Sequence, residues 1–169
     1  MQNTVDSIFS LLKSLEELAY PEAKILPGIG RFLQFDEFSC GLRSLQSVLA
    51  YYDIQHSEQT LKRELRTTRE GTDVSDILRV LRGYGLRASV HRKMGLREIK
   101  EAIDVGCPII VTLYSGWHWS VCYGHSKNHL FVMNPSVNFL SMGSLFCAVS
   151  KKHFRKIFDR YGIVVMPGK

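Results

Sequence analysis

The stretch PIIVTLYSGWHWSVCYGHSKNHLFVMNPS, residues 108–136, decides the fold class. Valine, isoleucine and aromatic side chains fill Pro108 to Tyr114, Trp119 to Gly124 and Leu130 to Met133, with turn residues between the runs. Such side chains fit a pleated, half-buried surface, so the three runs read as successive strands.

Upstream, the period changes to that of helices. Val5, Ile8, Phe9, Leu12, Leu15 and Leu18 recur at helical spacing over residues 4–20, and Pro21 ends that amphipathic segment. Pro21 to Phe32, with Pro27-Gly28 and Gly30, reads as an ordered connector. Leu42, Leu45, Val48, Leu49 and Tyr52 predict a helix that starts at Ser39 or Cys40. Shorter helices are expected over Ser57 to Arg66, Thr72 to Gly83 and Met94 to Val105. Beyond the strands, Val149 to Tyr161 reads as helix and Ile163 to Met166 as a last strand. Helices first and a mainly antiparallel sheet second give an α+β fold, the helices packed on the sheet. Residues 1–30 form an N-terminal helix and connector in this reading, and residues 31–169 form the main domain.

The 169 residues, 45% apolar, suffice for one compact core. The net charge of +6 is spread over helices, and the basic residues Lys62, Arg63 and Arg66, like Lys93, Arg97 and Lys100, lack the aromatic interleaving that single-stranded nucleic acid needs. No nucleic-acid partner is expected. Cysteines 40, 107, 122 and 147 have no regular spacing, and two of them lie inside apolar runs, which argues against a disulfide framework. No export signal or membrane span is read, so the expected location is cytoplasmic; delivery by a non-classical route would leave the same sequence.

The chemistry-bearing residues fall in both halves. A helix N-terminus offers partial positive charge and free N–H groups that lower a thiol pKa, so Cys40 is placed as a nucleophile. Gly41 beside it lets a substrate backbone approach, the Cys40 N–H is available to an oxyanion, and Gln34 supplies a second donor from the connector. A Cys–His pair meets in space rather than in sequence, and His118 opens a strand between Trp117 and Trp119. Those rings would flank a narrow substrate slot. Asn134 ends the next strand, where a hairpin brings its amide to His118. His118, Cys122, His125 and His129 would share one face of a helix and suit zinc there, but the alternation Trp119, Val121, Tyr123 favours a strand, which scatters them. No metal or organic cofactor is expected.

Together QFDEFSCG, EGTDVSDILRVLRGYGL, CPIIVTLYSGWHWSVCYGH, LFVMNPS and VSKKHFRKIFDRYGIVVMP resemble the bacteriocin-processing, double-glycine leader peptidase family. In that family a Gln precedes a Cys-Gly by six residues, a Gly-Thr or Gly-Ser opens a later helix, a Pro-led strand precedes the catalytic His, and an Asp-Pro follows one hairpin later. Gln34, Cys40, His118 and Asn134 match those positions, over about Phe32 to Pro167. The resemblance implies a papain-like cysteine peptidase, here a stand-alone member without a transporter domain, cutting a peptide or protein substrate after a small residue such as glycine. Asn134 replaces the family's usual aspartate, and Ser39 the acidic or amide residue often found before the cysteine. A protein deamidase or crosslinking toxin using the same triad, and an inactive peptide-binding module docking a partner through its first helix, are compatible with the same residues.

Overall fold

A computed structural model of the chain describes residues 18–136 and 148–168. The helix expected over residues 4–20, and the partner surface assigned to it, lie outside the described residues except for its end at Leu18–Tyr20.

The first full helix, α1 (Cys40–Tyr51), buries Leu42, Leu45, Val48 and Leu49 on one stripe and is the central element of the core. Helix α2 (Glu58–Glu64) is opened by Ser57, whose hydroxyl accepts the Thr60 N–H, and α3 (Val74–Gly83) by Asp73, whose carboxylate accepts the Ser75 N–H. Helix α4 (Leu96–Asp104) presents Ile99, Ala102 and Ile103 inward. These ranges agree with the periodicity of the sequence.

The sheet is larger than the sequence suggested. The expected strands are present as β3 (Ile109–Leu113), β4 (His118–His125) and β5 (His129–Met133), with β4 beginning at His118 itself, and the last strand expected over Ile163 to Met166 is the end of a longer β7 (Phe158–Met166). Three further stretches join them: β1 (Lys24–Ile25), β2 (Arg87–His91) and β6 (Ala148–Ser150). The strand order is β2-β7-β3-β4-β5-β6, with β1 on the free part of the β4 edge, and every ladder is antiparallel. This is the α+β architecture expected of a papain-like peptidase.

Two readings of the chain are corrected. The helix expected over Val149 to Tyr161 is only α5 (Lys151–Ile157): Ser150 ends β6, its hydroxyl caps α5 by accepting the His153 N–H, and Phe158 already lies on β7. The connector is not merely a link, because Lys24 and Ile25 pair with His125 and Gly124, and the Leu26 N–H donates to the Tyr123 carbonyl at 2.8 Å. Close approach is possible there because a side chain at Gly124 would meet the Lys24 carbonyl at 3.0 Å. Among the described residues no helix is long and apolar enough to cross a membrane.

Candidate active site

The N-terminus of α1 packs against β4, and this contact joins the two halves of the candidate site. Cys40 is the first residue of the helix and is 6% exposed. The backbone N–H groups of Trp119, Gly41 and Cys40 itself face its sulfur. Trp119 follows His118 on β4, so the thiol lies at the histidine's own strand. His118 is 3% exposed, and its Nε2 is 2.7 Å from Asn134 Oδ1.

The register explains that contact. Strands β4 and β5 pair Cys122 with Val132 and Val121 with Met133, which sets Asn134 just past the end of β5, within reach of the start of β4. Asn134 Oδ1 also accepts the Ser136 N–H at 3.0 Å. A backbone N–H can only donate, so this bond identifies the amide atom facing His118 as oxygen. The imidazole proton therefore sits on Nε2, and in the neutral ring Nδ1 is the unprotonated nitrogen.

Gln34 joins from the other side. Its N–H donates to the Pro135 carbonyl at 2.8 Å, and it forms a parallel bridge with Ser136. Its side-chain Nε2 donates to the Asp36 carbonyl at 2.6 Å, which leaves the second N–H of that amide unspent. The structure thus gathers Gln34, Cys40, His118 and Asn134 around the junction of α1, β4 and the end of β5.

Electrostatically the thiol differs from expectation. Burial pushes the Cys40 thiol above its ordinary value; the N–H groups of Trp119, Gly41 and Cys40 oppose this, and the Asp36 carboxylate adds to the rise. Burial also pushes the His118 imidazole below its ordinary value, against the bond from Asn134. Both shifts favour the uncharged form of each group, so burial opposes the ionisation that the helix terminus promotes.

Gly41 has a different reason for its missing side chain. A Cβ there would lie 2.8 Å from Thr72 Cβ and 3.1 Å from Trp119 Cδ1, so glycine lets α1 dock on the buried Thr72. The tryptophans also separate. Trp119 is buried, its ring edge-on to Tyr161 at 6.3 Å, and only Trp117, 86% exposed, is available to a ligand.

Two contributors were not read from the sequence. Thr72 sits in the EGT segment, after Gly71 in the left-handed region at φ 104°, and its hydroxyl bonds that of Thr67 at 3.0 Å. The Gly-Thr pair was the available signal. Asp36 accepts the N–H groups of Phe38 and Ser39, at 3.0 and 2.7 Å, and so closes the turn into α1. An aspartate three residues before the Ser39 cap position was its signal. His125, the zinc candidate farther along β4, instead bonds Asp104 Oδ1 at 2.6 Å.

A helix that begins at a cysteine, packed on an antiparallel sheet that presents histidine and asparagine, defines the papain-like class of cysteine peptidases. The chain belongs to the peptidase C39 family, which it matches over residues 30–169, and it is a cysteine peptidase. It is 26% identical over 137 residues to the pediocin PA-1 transport/processing ATP-binding protein PedD of Pediococcus acidilactici; the match covers 79% of this chain and 18% of that protein's length. Its fold superposes on a double-glycine motif protease from an AMS/PCAT transporter, crystallised with the leader peptide, at a TM-score of 0.68 with 21% identity, covering 82% of this chain and 91% of the other. The peptidase domain of Streptococcus ComA, a bifunctional ABC transporter involved in quorum sensing, gives a TM-score of 0.67 at 23% identity over 80% and 96% of the two chains. A C39-like peptidase from Bacillus anthracis gives 0.66 at 14% identity over 86% and 98%.

Proposed function

We propose that the chain hydrolyses a peptide bond after a small residue, glycine by preference, through a thioester on Cys40. The observation that carries this reading is the pair of bonds to Asn134 Oδ1, which puts the His118 proton on Nε2 and leaves Nδ1 as base. As Cys40 Sγ attacks the carbonyl carbon, its proton passes to His118 Nδ1. The carbonyl oxygen becomes an oxyanion, held by the free N–H of Gln34 Nε2 and by the Cys40 N–H, which has no partner within the helix at this first position. The C–N bond then breaks and the leaving amine takes the proton from Nδ1. Water gives a proton to the same nitrogen, attacks the thioester carbon, and releases the acid; the proton returns to sulfur.

Glycine before the scissile bond fits the exposed Trp117, which directly precedes His118 and in our reading narrows the space over the sulfur. The double-glycine motif protease among the structural relatives has its leader peptide bound, and by analogy the substrate of this chain is an extended segment with glycine at its cut. The test is turnover of internally quenched peptides carrying Gly-Gly, with Cys40→Ala and His118→Ala as controls. Cleavage after glycine, lost in both variants, is expected; full cleavage by Cys40→Ala would sink the reading.

A further inference from the structure

Asp36 makes no contact required by the reaction itself, yet it is bonded to Gln34 and to the two residues that lead into Cys40. Its main-chain carbonyl receives the Gln34 Nε2–H at 2.6 Å. Its Oδ1 receives the N–H groups of Phe38 at 3.0 Å and Ser39 at 2.7 Å, the two residues that lead into Cys40. Ser39 occupies the cap position of α1 but makes no side-chain cap bond, so the aspartate supplies the fixed acceptor at that end. Gln34 Oε1 is buried without a hydrogen-bond partner, which leaves the bond to Asp36 as the tie on that amide group. The neighbouring Phe35 side chain is 87% exposed and anchors nothing, so the carboxylate turn is what shapes this loop.

We propose that Asp36 is a positioning residue that presets the oxyanion site, its carboxylate fixing the turn whose carbonyl aims the Gln34 amide. The proposal rests on the reading of Cys40 as nucleophile and Gln34 as donor. It assigns Asp36 an effect on oxyanion binding that passes through Gln34 and leaves the thiolate's intrinsic reactivity alone. Two charges bear on this turn besides Asp36 itself: the Lys62 ammonium, 5.2 Å from the centre of the Phe38 ring, which favours the carboxylate, and the Cys40 thiolate when it forms, which the carboxylate opposes.

The probe is a short peptide ending in glycinal, whose aldehyde forms a tetrahedral adduct with sulfur and needs the oxyanion site. Iodoacetamide, which alkylates sulfur without it, is the control, with its rate taken on the alkaline plateau where the thiol is fully ionised. Asp36→Ala should weaken aldehyde binding by about tenfold and Asp36→Asn, which keeps a neutral acceptor, by about threefold. Neither should weaken it further in the Gln34→Ala background, and plateau alkylation rates should stay within about twofold of the parent. Should Asp36→Ala not fold, the same cycle is run with Asp36→Asn. Parental aldehyde affinity in the Asp36 variants, or losses that multiply with Gln34→Ala, overturns the proposal. An unaltered chain that neither binds the aldehyde nor is alkylated at Cys40 overturns the underlying nucleophile reading instead.

Discussion

Asn134 Oδ1 stands 2.7 Å from His118 Nε2 and 3.0 Å from the Ser136 N–H, so one oxygen orients the ring and is itself fixed by backbone. Asn134→Ala removes that acceptor and should lower kcat by about ten- to a hundredfold while KM changes little. Asn134→Asp keeps the oxygen and should stay within about threefold of the parent. Its carboxylate favours imidazolium, so the acid limb of its pH profile should move upward. Equal loss in both variants, with the fold intact by circular dichroism, would show that orientation is not what Asn134 supplies.

The pH dependence follows from the directions of the two shifts. His118 is held below its ordinary value by burial and Cys40 is pushed up, so kcat/KM should rise as His118 loses its proton below the ordinary imidazole range. It should fall only when the thiol ionises, above the ordinary cysteine range, both limbs being macroscopic values of the pair. Iodoacetamide labelling of Cys40 should likewise climb through the alkaline range, and Cys107 and Cys122, whose thiols burial also pushes up, should label more slowly. A flat labelling plateau between about pH 4 and 7 would instead mark a preformed ion pair. The His118 shift carries a stability consequence. Its folded value is depressed, so the unfolded chain binds the proton more readily; the contribution is fully present above the unfolded value and is lost as pH falls through the folded one.

Much of this site was legible because the chemistry coincides with element boundaries. Cys40 opens α1, His118 opens β4 and Asn134 follows β5, all positions where periodicity and turn residues mark the chain. What escaped was long-range. Arg87–His91 alternates weakly and becomes strand β2 only because β7 lies beside it, pairing Ala88 with Val165 and Val90 with Ile163. Lys24 and Ile25 become β1 through the exposed edge of β4, which no local signal announces. The docking role of Gly41 was missed for the same reason, since Thr72 and Trp119 are distant in sequence and meet it only in the fold. The sign of the Cys40 shift depends on burial, which outweighs the local helix terminus that the sequence displays.

Gly41→Ala tests the docking of α1. Its Cβ would sit 2.8 Å from Thr72 Cβ, closer than side-chain contacts allow, and Thr72 is itself buried. The helix start must shift, at a cost of about 1–3 kcal/mol, and with it the sulfur. Lower denaturation midpoint and at least tenfold lower kcat are expected together. Unchanged stability would mean that Thr72 yields and that the close fit is not needed.

Asp159 tests the turn that delivers His118. Tyr114, Ser115 and Gly116 are consecutive left-handed residues, at φ 57°, 61° and 84°. The Asp159 carboxylate accepts the N–H groups of Ser115 and Gly116, each at 2.7 Å. Asp159→Ala leaves the turn without those charge-assisted bonds and should destabilise the chain by about 2 kcal/mol in chemical denaturation. Asp159→Asn, which retains acceptor capacity for one bond, should fall between. No loss in either variant would show that the strand ends hold the turn unaided.

Trp117 is the residue on which the narrow-slot idea now rests, because Trp119 is buried and edge-on to Tyr161. Trp117 precedes His118 directly, is 86% exposed, and follows Gly116 in the turn held by Asp159. A large flat side chain at that position would exclude bulk beside His118, which would suit glycine before the scissile bond and disfavour any branched residue. Trp117→Ala should therefore relax selectivity more than it lowers turnover. In a peptide library the parent should prefer glycine over alanine by at least about tenfold, and the variant should bring that ratio to within about threefold. Trp117→Phe, flat but smaller, should lie between them. If the parent already cuts after leucine or lysine as readily as after glycine, Trp117 is not a wall of the slot, although the Cys40 and His118 chemistry would stand.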